Sequence, residues 1–223
     1  MTELYTVSLL NLEYTDARSL LERAVFPWEA LPKLQDFILE FGKGLSLAEY
    51  DHPKETVWIH KTATVAPTAF LGERIIIGAG TEVRHCAYLR ENAFIGKGVV
   101  VGNSTEVKNA ILFDGAEVPH FNYIGDAVLG HKAHTGAGVV LSNFRSDHGP
   151  VPIHYRGERV ETGLRKFSAI LADGADIGCN SVLNPGTVIG RNTVVYPLSM
   201  VRGVVPAGSI YKRKGEVVER EER

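Results

Sequence analysis

Arg90 follows Leu89, and Lys108 follows Val107 eighteen residues later. If eighteen residues make one turn of a regular structure, the two cations stack on one edge, an arrangement that suits a phosphate. Taken by themselves they are more simply read as two solvated surface cations. The stretch VPHFNYIGDAVLG then supplies His120 and Tyr123 close together. An imidazole, with an ordinary pKa near 6.5, is a natural general base for removing a proton near neutral pH. A lone histidine is more often structural. This one stands beside an apparent break in a regular pattern, over residues 118–128, where local rules give way to function. A further segment, 142–170, carries Arg145, Arg156, Arg159, Arg165 and Lys166. It reads as a flexible basic loop that closes over an anionic ligand, with IHYRGERVE folding back as a hairpin around Arg156-Gly157. A solvated loop with no role is the alternative.

The pattern that must position these groups is a six-residue beat. Ten successive positions at that spacing, from Ile59 to Phe113, are aliphatic or aromatic. The beat returns at Leu129, Thr135 and Leu141 and resumes from Leu171 to Val201. A fixed short repeat whose units cannot bury their own apolar side signals a solenoid. Three hexapeptides make one coil of a triangular prism, with the leading apolar residue pointing inward. Small residues such as Ala63, Ala87, Thr105 and Ser181 take the fifth place, near the corners. Glycines after the apolar position supply tight turns. About seventeen units predict five to six coils.

Residues 1–56 have a different rhythm and read as a helical N-terminal cap over the open end of the prism. Thr15 or Asp16 starts one helix, which stops before Phe26-Pro27. A second runs from about Trp28 to Phe41, with Pro32 in its first turn and Gly42 and Gly44 ending it. No glycine loop of the nucleotide-binding kind occurs there. The solenoid spans 57–210 with the insert at 142–170, and a charged tail, 211–223, is expected to fray. The 223 residues carry a formal charge of −2, which gives no pull toward nucleic acid or a membrane surface. No apolar run is long enough to span a bilayer. Two distant cysteines, Cys86 and Cys179, fit a reducing, cytoplasmic setting.

Four stretches carry a resemblance: AYLRENAFIGKGVVVGNSTEVKNAIL, PHFNYIGDAVLG, GAGVVLSNFR and VETGLRKFSAILADGADIGCNSVLNPGTVIG, together about residues 87–190. They resemble the acetyltransferase domain of the bifunctional N-acetylglucosamine-1-phosphate uridylyltransferase/glucosamine-1-phosphate N-acetyltransferase family, in its archaeal sugar-1-phosphate nucleotidylyltransferase form. The resemblance implies a left-handed parallel β-helix, an all-β solenoid whose handedness the period alone does not set. It implies acetyl-CoA as cosubstrate, no metal for the transfer, a homotrimer, and direct acetylation of an amino sugar 1-phosphate. It also implies the roles. His120 matches the general base. Arg90, Lys108, Tyr123, His134, Asn143 and Lys166 match sugar-phosphate positions, and Phe144, Cys179 and Pro197 match the coenzyme A channel. His134 stands where the family usually has Asn, and Phe144 where it often has Tyr, which leaves the acceptor sugar open. The family's nucleotidyltransferase domain has no counterpart in this sequence, so uridylyl transfer is not expected, and whether a separate nucleotidyltransferase works as a partner is left open by the sequence.

Two other classes stay in view. A non-catalytic β-helix for assembly or regulation would keep the repeat without the chemistry. A zinc lyase of the carbonic anhydrase kind would use histidines such as His131, His134, His148 and His154, but His131 and His134 are three apart, and a spacing of five is expected.

Overall fold

A computed structural model describes residues 1–220 and shows how the beat is used. The chain winds into a parallel β-helix with three faces. Residue pairs such as Ile59–Ile77, Val65–Val83 and Leu71–Leu89 stack in register on successive coils. The first and second faces have eight rungs each and the third has seven, so the prism has nearly eight coils rather than five to six. The strands Phe70–Ile77, Tyr88–Ile95, Glu106–Leu112 and Tyr123–Leu129 turn the corner between the third and first faces. Those two faces therefore form one twelve-stranded sheet. Inside, the aliphatic columns and the small corner residues are almost wholly buried. Buried corner hydroxyls find backbone acceptors; Thr81 Oγ1, for example, donates to the Gly96 carbonyl at 2.7 Å.

The beat changes where the sequence does not announce it. Tyr88 pairs with Glu106, eighteen residues on, but Ala93 pairs with Ala110, and the column of Ile95 continues at Leu112. The corner has lost one residue at Lys108-Asn109-Ala110. The next coil is also one short, with Glu106 opposite Tyr123 and Leu112 opposite Leu129. Phe113 therefore does not continue the inward column. It turns out to the opposite side of the strand, into a second core. The stretch 118–128 stays within the coils, with Val118 and Ile124 as fully buried rungs, and its slip is the one residue lost between Ile124 and Leu129. The shortened coils only shifted the count.

The second core explains the N-terminal segment. On the first face the outward residues are apolar too: Trp58, Ile76, Phe94, Ile111, Val128, Ile170 and Val188 are all at most 4% exposed. A strand that buries both faces reads as a continuous apolar run, here III, AFI, AIL and AVL. The segment 1–49 packs along this ladder through Trp28, Leu31, Leu34 and Ile38, so it covers a side of the prism and not its open end. Its regular part is a 3₁₀ stretch, Pro27–Lys33, that includes Pro32 and leads into the helix Leu34–Lys43. The earlier helix is one turn, Arg18–Leu21, with Thr15 Oγ1 accepting from the Ala17 amide.

Glycines that follow the inward residue are there for close approach of coils, not for turns. A Cβ on Gly102 would lie 1.5 Å from the Pro119 carbonyl oxygen. The insert forms the expected hairpin, Pro152–Tyr155 with Glu158–Glu161, with Arg156 and Gly157 both at positive φ. It is not a loose loop. Val151, Ile153 and Phe167 are fully buried, and Tyr155 and Arg156 both bond to Glu3. The tail is also ordered as far as it is described: Ser209–Arg213 pairs with Glu216–Glu219. The end of the predicted fraying tail, 221–223, lies outside the described residues.

Candidate functional site

The edge where the third face meets the first carries the most concentrated polar cluster. The register places Leu89 beside Val107, so Arg90 and Lys108 do sit one coil apart on that edge. Neither cation is free. Arg90 Nη1 lies 3.0 Å from Glu106, and Lys108 Nζ lies 3.3 Å from Oδ2 of Asp126. Asp126 has only 5% of its side chain exposed. Asn109 Nδ2 donates to its Oδ1 at 2.8 Å and Asn143 Nδ2 to its Oδ2 at 2.5 Å. The carboxylate is thus held by one cation and two amides, the company a buried charge requires. Asn143 Nδ2 is also 3.0 Å from the Tyr123 oxygen. Burial first, and then the nearby Asp126 charge, push the Tyr123 phenol pKa up, so it stays protonated. The Tyr123 ring lies across Gly125, where a Cβ would come within 2.5 Å of the phenol oxygen. That contact accounts for the glycine two residues after the tyrosine.

Asn109 and Asp126 are not among the residues the sequence singles out, although Asp126 lies in the stretch PHFNYIGDAVLG with His120 and Tyr123. A signal existed. Asn92, Asn109, Asp126 and Asn143 recur every seventeen residues, which is the length of the shortened coils. A search at eighteen misses it. Asn92, Asn109 and Asp126 all adopt positive φ, a conformation Asn and Asp tolerate better than most side chains.

His120 lies elsewhere. It stands on the edge between the second and third faces, in register with Asn103, and its carbonyl accepts from the Gly138 amide at 3.0 Å. Above it on the same edge come Ala137, Cys179 and Pro197, linked by the Asn180-to-Ala137 and Leu198-to-Cys179 backbone bonds. The column contains the expected base and two of the expected coenzyme positions. His120 and Gly125, next to Lys108, lie at opposite ends of the third-face strand, with Phe121 turning the corner between His120 and that strand at positive φ. Within one chain His120 is therefore not beside the stacked cations, and the break that drew attention to it belongs to the other edge.

The remaining predicted residues divide the same way. His134 lies in the middle of the second face, away from Asn143, and its Nδ1–H donates to Asp176 at 2.8 Å. Asp176 raises its pKa. Lys166 bridges to Phe144 at the neck of the insert, and both line a groove of about 560 Å³ with Asn109, Leu31 and Pro32. Phe144 is thus on the edge with Lys108, not with Cys179 and Pro197. Of the insert's cations, Arg145, Arg156 and Arg159 pair with Asp147, Glu3 and Glu161. His131 stacks on Tyr14 with ring centres 3.8 Å apart. Among the described residues no three His, Cys, Asp or Glu side chains converge as a metal site. No helix among them is long and apolar enough to cross a membrane.

These features define a hexapeptide-repeat β-helix with two chemically different edges. No family model matches the chain. It is related in sequence to bifunctional sugar-nucleotide proteins. It is 31% identical over 105 residues to a bifunctional sugar-1-phosphate nucleotidylyltransferase/acetyltransferase of Sulfurisphaera tokodaii, covering 47% of this chain and 26% of that one. It is 29% identical over 132 residues to the bifunctional protein GlmU of Methanococcus vannielii, covering 59% of this chain and 32% of the relative. The chain thus spans about a quarter to a third of the length of these relatives. A solved acetyltransferase domain of PglB from Neisseria gonorrhoeae, in complex with acetyl coenzyme A, overlaps 70% of this chain and 53% of its own, at 18% identity and a TM-score of 0.30. That overlap is too small to bear on function.

Proposed function

We propose that the protein transfers an acetyl group from acetyl-CoA to the amine of an amino sugar 1-phosphate, glucosamine 1-phosphate or galactosamine 1-phosphate. The observation that carries this reading is the two-edge layout. One edge offers Arg90, Lys108, Tyr123 and Asn143, with Lys166 at its rim; the other offers His120 below Ala137, Cys179 and Pro197. Between them the third face exposes Phe70 and Tyr88 on one side of the Glu106 and Tyr123 rungs and Val140, Val182 and Met200 on the other, with Leu198 at its corner. An apolar stripe of this kind is a surface for another chain. A homotrimer that buries it sets one copy's sugar edge against a neighbour's His120 edge and completes the site.

The sugar phosphate displaces Glu106 from Arg90 and joins Asp126 on Lys108, and Tyr123 and Asn143 orient the sugar. The amine attacks the thioester carbonyl, His120 takes the amine proton, and coenzyme A leaves as a thiolate. Transfer is direct, so Cys179 lines the channel without carrying the acetyl group. Fixing both reactants removes much of the entropy of encounter, and a general base typically contributes about 10²–10⁴-fold.

The test is thiol release from acetyl-CoA with a panel of amino sugars and their 1-phosphates, in the native chain and in His120→Ala. Turnover should drop at least a hundredfold in the variant with acetyl-CoA binding near normal; full activity in it removes His120 as the base. The carboxylates already seated on Arg90 and Lys108 favour a second reading, a β-helix kept for assembly alone. Silence of the native chain across the panel would select that one.

A further inference from the structure

A second cavity, of about 580 Å³, lies beside the groove of Lys166, with Phe144 lining both. Three guanidinium groups from three separate segments line it: Arg145 from the start of the insert, Arg159 from the hairpin, and Arg202 from a late coil. Arg202 is exposed and makes no ion pair among the described residues. Asp147 is the one carboxylate among the lining residues. Three cations against Asp147 and against Glu161, the partner of Arg159, leave a net charge of +1. The pairs Arg145–Asp147 and Arg159–Glu161 are exposed local pairs and give little net stabilisation, so a stronger anion displaces them readily. The walls are fixed. A Cβ on Gly186 would meet the Pro152 carbonyl oxygen at 2.2 Å, so the hairpin backbone lies directly on the coils, and Glu3 holds its tip.

We infer that Arg145, Arg159 and Arg202 form a second oxyanion site, separate from Arg90 and Lys108, that takes a phosphate group of an organic phosphate ester. A phosphate monoester carries about −1.5 to −2 at neutral pH, more than either single carboxylate that it would displace from the guanidinium groups. The cavity is larger than a phosphate needs and falls in the range of small-ligand pockets. Phe144 and the flanking Pro152 and Pro185 offer an apolar wall for the rest of the ligand. Two sources share this chemistry: the 3′-phosphate of coenzyme A, and the acceptor's one phosphate if it is seated here instead of on Arg90 and Lys108.

Inorganic pyrophosphate, titrated calorimetrically into the full chain, is the first probe and needs no activity. Arg202→Ala and Arg159→Ala should each weaken its binding tenfold or more, the expected loss of a charge-assisted contact. Arg202→Lys should recover part of it, and an Arg90→Ala, Lys108→Ala double variant should retain the site. Native-like affinity in both single variants, or loss of all binding in the double variant, would overturn the assignment. Kinetics then separate the sources. A raised KM for acetyl-CoA that vanishes with 3′-dephospho-acetyl-CoA assigns the cofactor, whereas a raised KM for the sugar phosphate alone assigns the acceptor. A native chain that binds pyrophosphate at this site but transfers no acetyl group would end the proposed acetyltransferase reading and leave the anion site standing.

Discussion

Lys108 and Asp126 face each other across one coil step, Nζ to Oδ2 at 3.3 Å, with 14% and 5% of their side chains exposed. A buried carboxylate at a coil corner is expensive unless its partners are fixed. Here they come from the coils on either side: Lys108 and Asn109 below, Asn143 above. Asp126 therefore ties the mouth of the insert to the coil that carries the lysine. Replacing it with Ala leaves a nearly buried ammonium and two amides without their acceptor. Asp126→Ala should lose about 3 kcal/mol of unfolding free energy, and Asp126→Asn clearly less, because one amide contact can re-form. Urea denaturation of the two variants checks the order; equal losses would mean that the amide contacts of Asn109 and Asn143 add nothing to the charge pair.

The ladder under the N-terminal segment makes a separate prediction. Phe94 is 1% exposed and packs near Phe37 and Phe41, with ring centres 5.7 and 5.5 Å away. Phe94→Ala should cost about 3–5 kcal/mol and expose the residues before Tyr50 to protease ahead of the prism. Cleavage confined to the tail in this variant would contradict a side-packed segment.

His134 and Asp176 form a pH-dependent pair on the second face. The Asp176 contact raises the histidine pKa, and the histidine lowers that of Asp176. The histidine's contribution is complete below its unfolded pKa and fades as pH rises through its higher folded pKa. The aspartate's contribution is lost only in acid. Both groups are more than a third exposed, so the effect is screened and small, under about 1 kcal/mol. The stability advantage of the native chain over His134→Gln should be larger at pH 6 than at pH 9. Thermal unfolding at the two pH values decides it, and an unchanged or reversed gap excludes the pair.

The apolar third face predicts assembly. Leu198 is 79% and Met200 59% exposed. If these contact neighbouring copies, Leu198→Asp should shift a trimer toward monomer by light scattering at micromolar concentration, with little change in the monomer's circular dichroism. A native chain that is already monomeric there removes the shared-site layout.

The six-residue beat was sufficient to specify a solenoid, because inward stacking imposes the period on every coil alike. The hairpin at Arg156-Gly157 was equally legible, since its turn chemistry is local. His120, Tyr123, Arg90 and Lys108 could be picked out by type and offset. What they meet could not. One residue lost at the Asn109 corner turned eighteen-residue coils into seventeen, and that shift moved the apparent break from the Asp126 edge to the neighbourhood of His120. Only the folded prism separates His120 from Lys108 by the width of a face. Only there do the outward Phe94, Ile111 and Val128 show that the N-terminal segment belongs on a side, and only there does Arg202 meet Arg145 and Arg159. A linear period fixes which side chains point inward. Which outward side chains converge depends on register between coils and on how non-repeating segments fold back, and those are set by contacts between residues far apart in the chain.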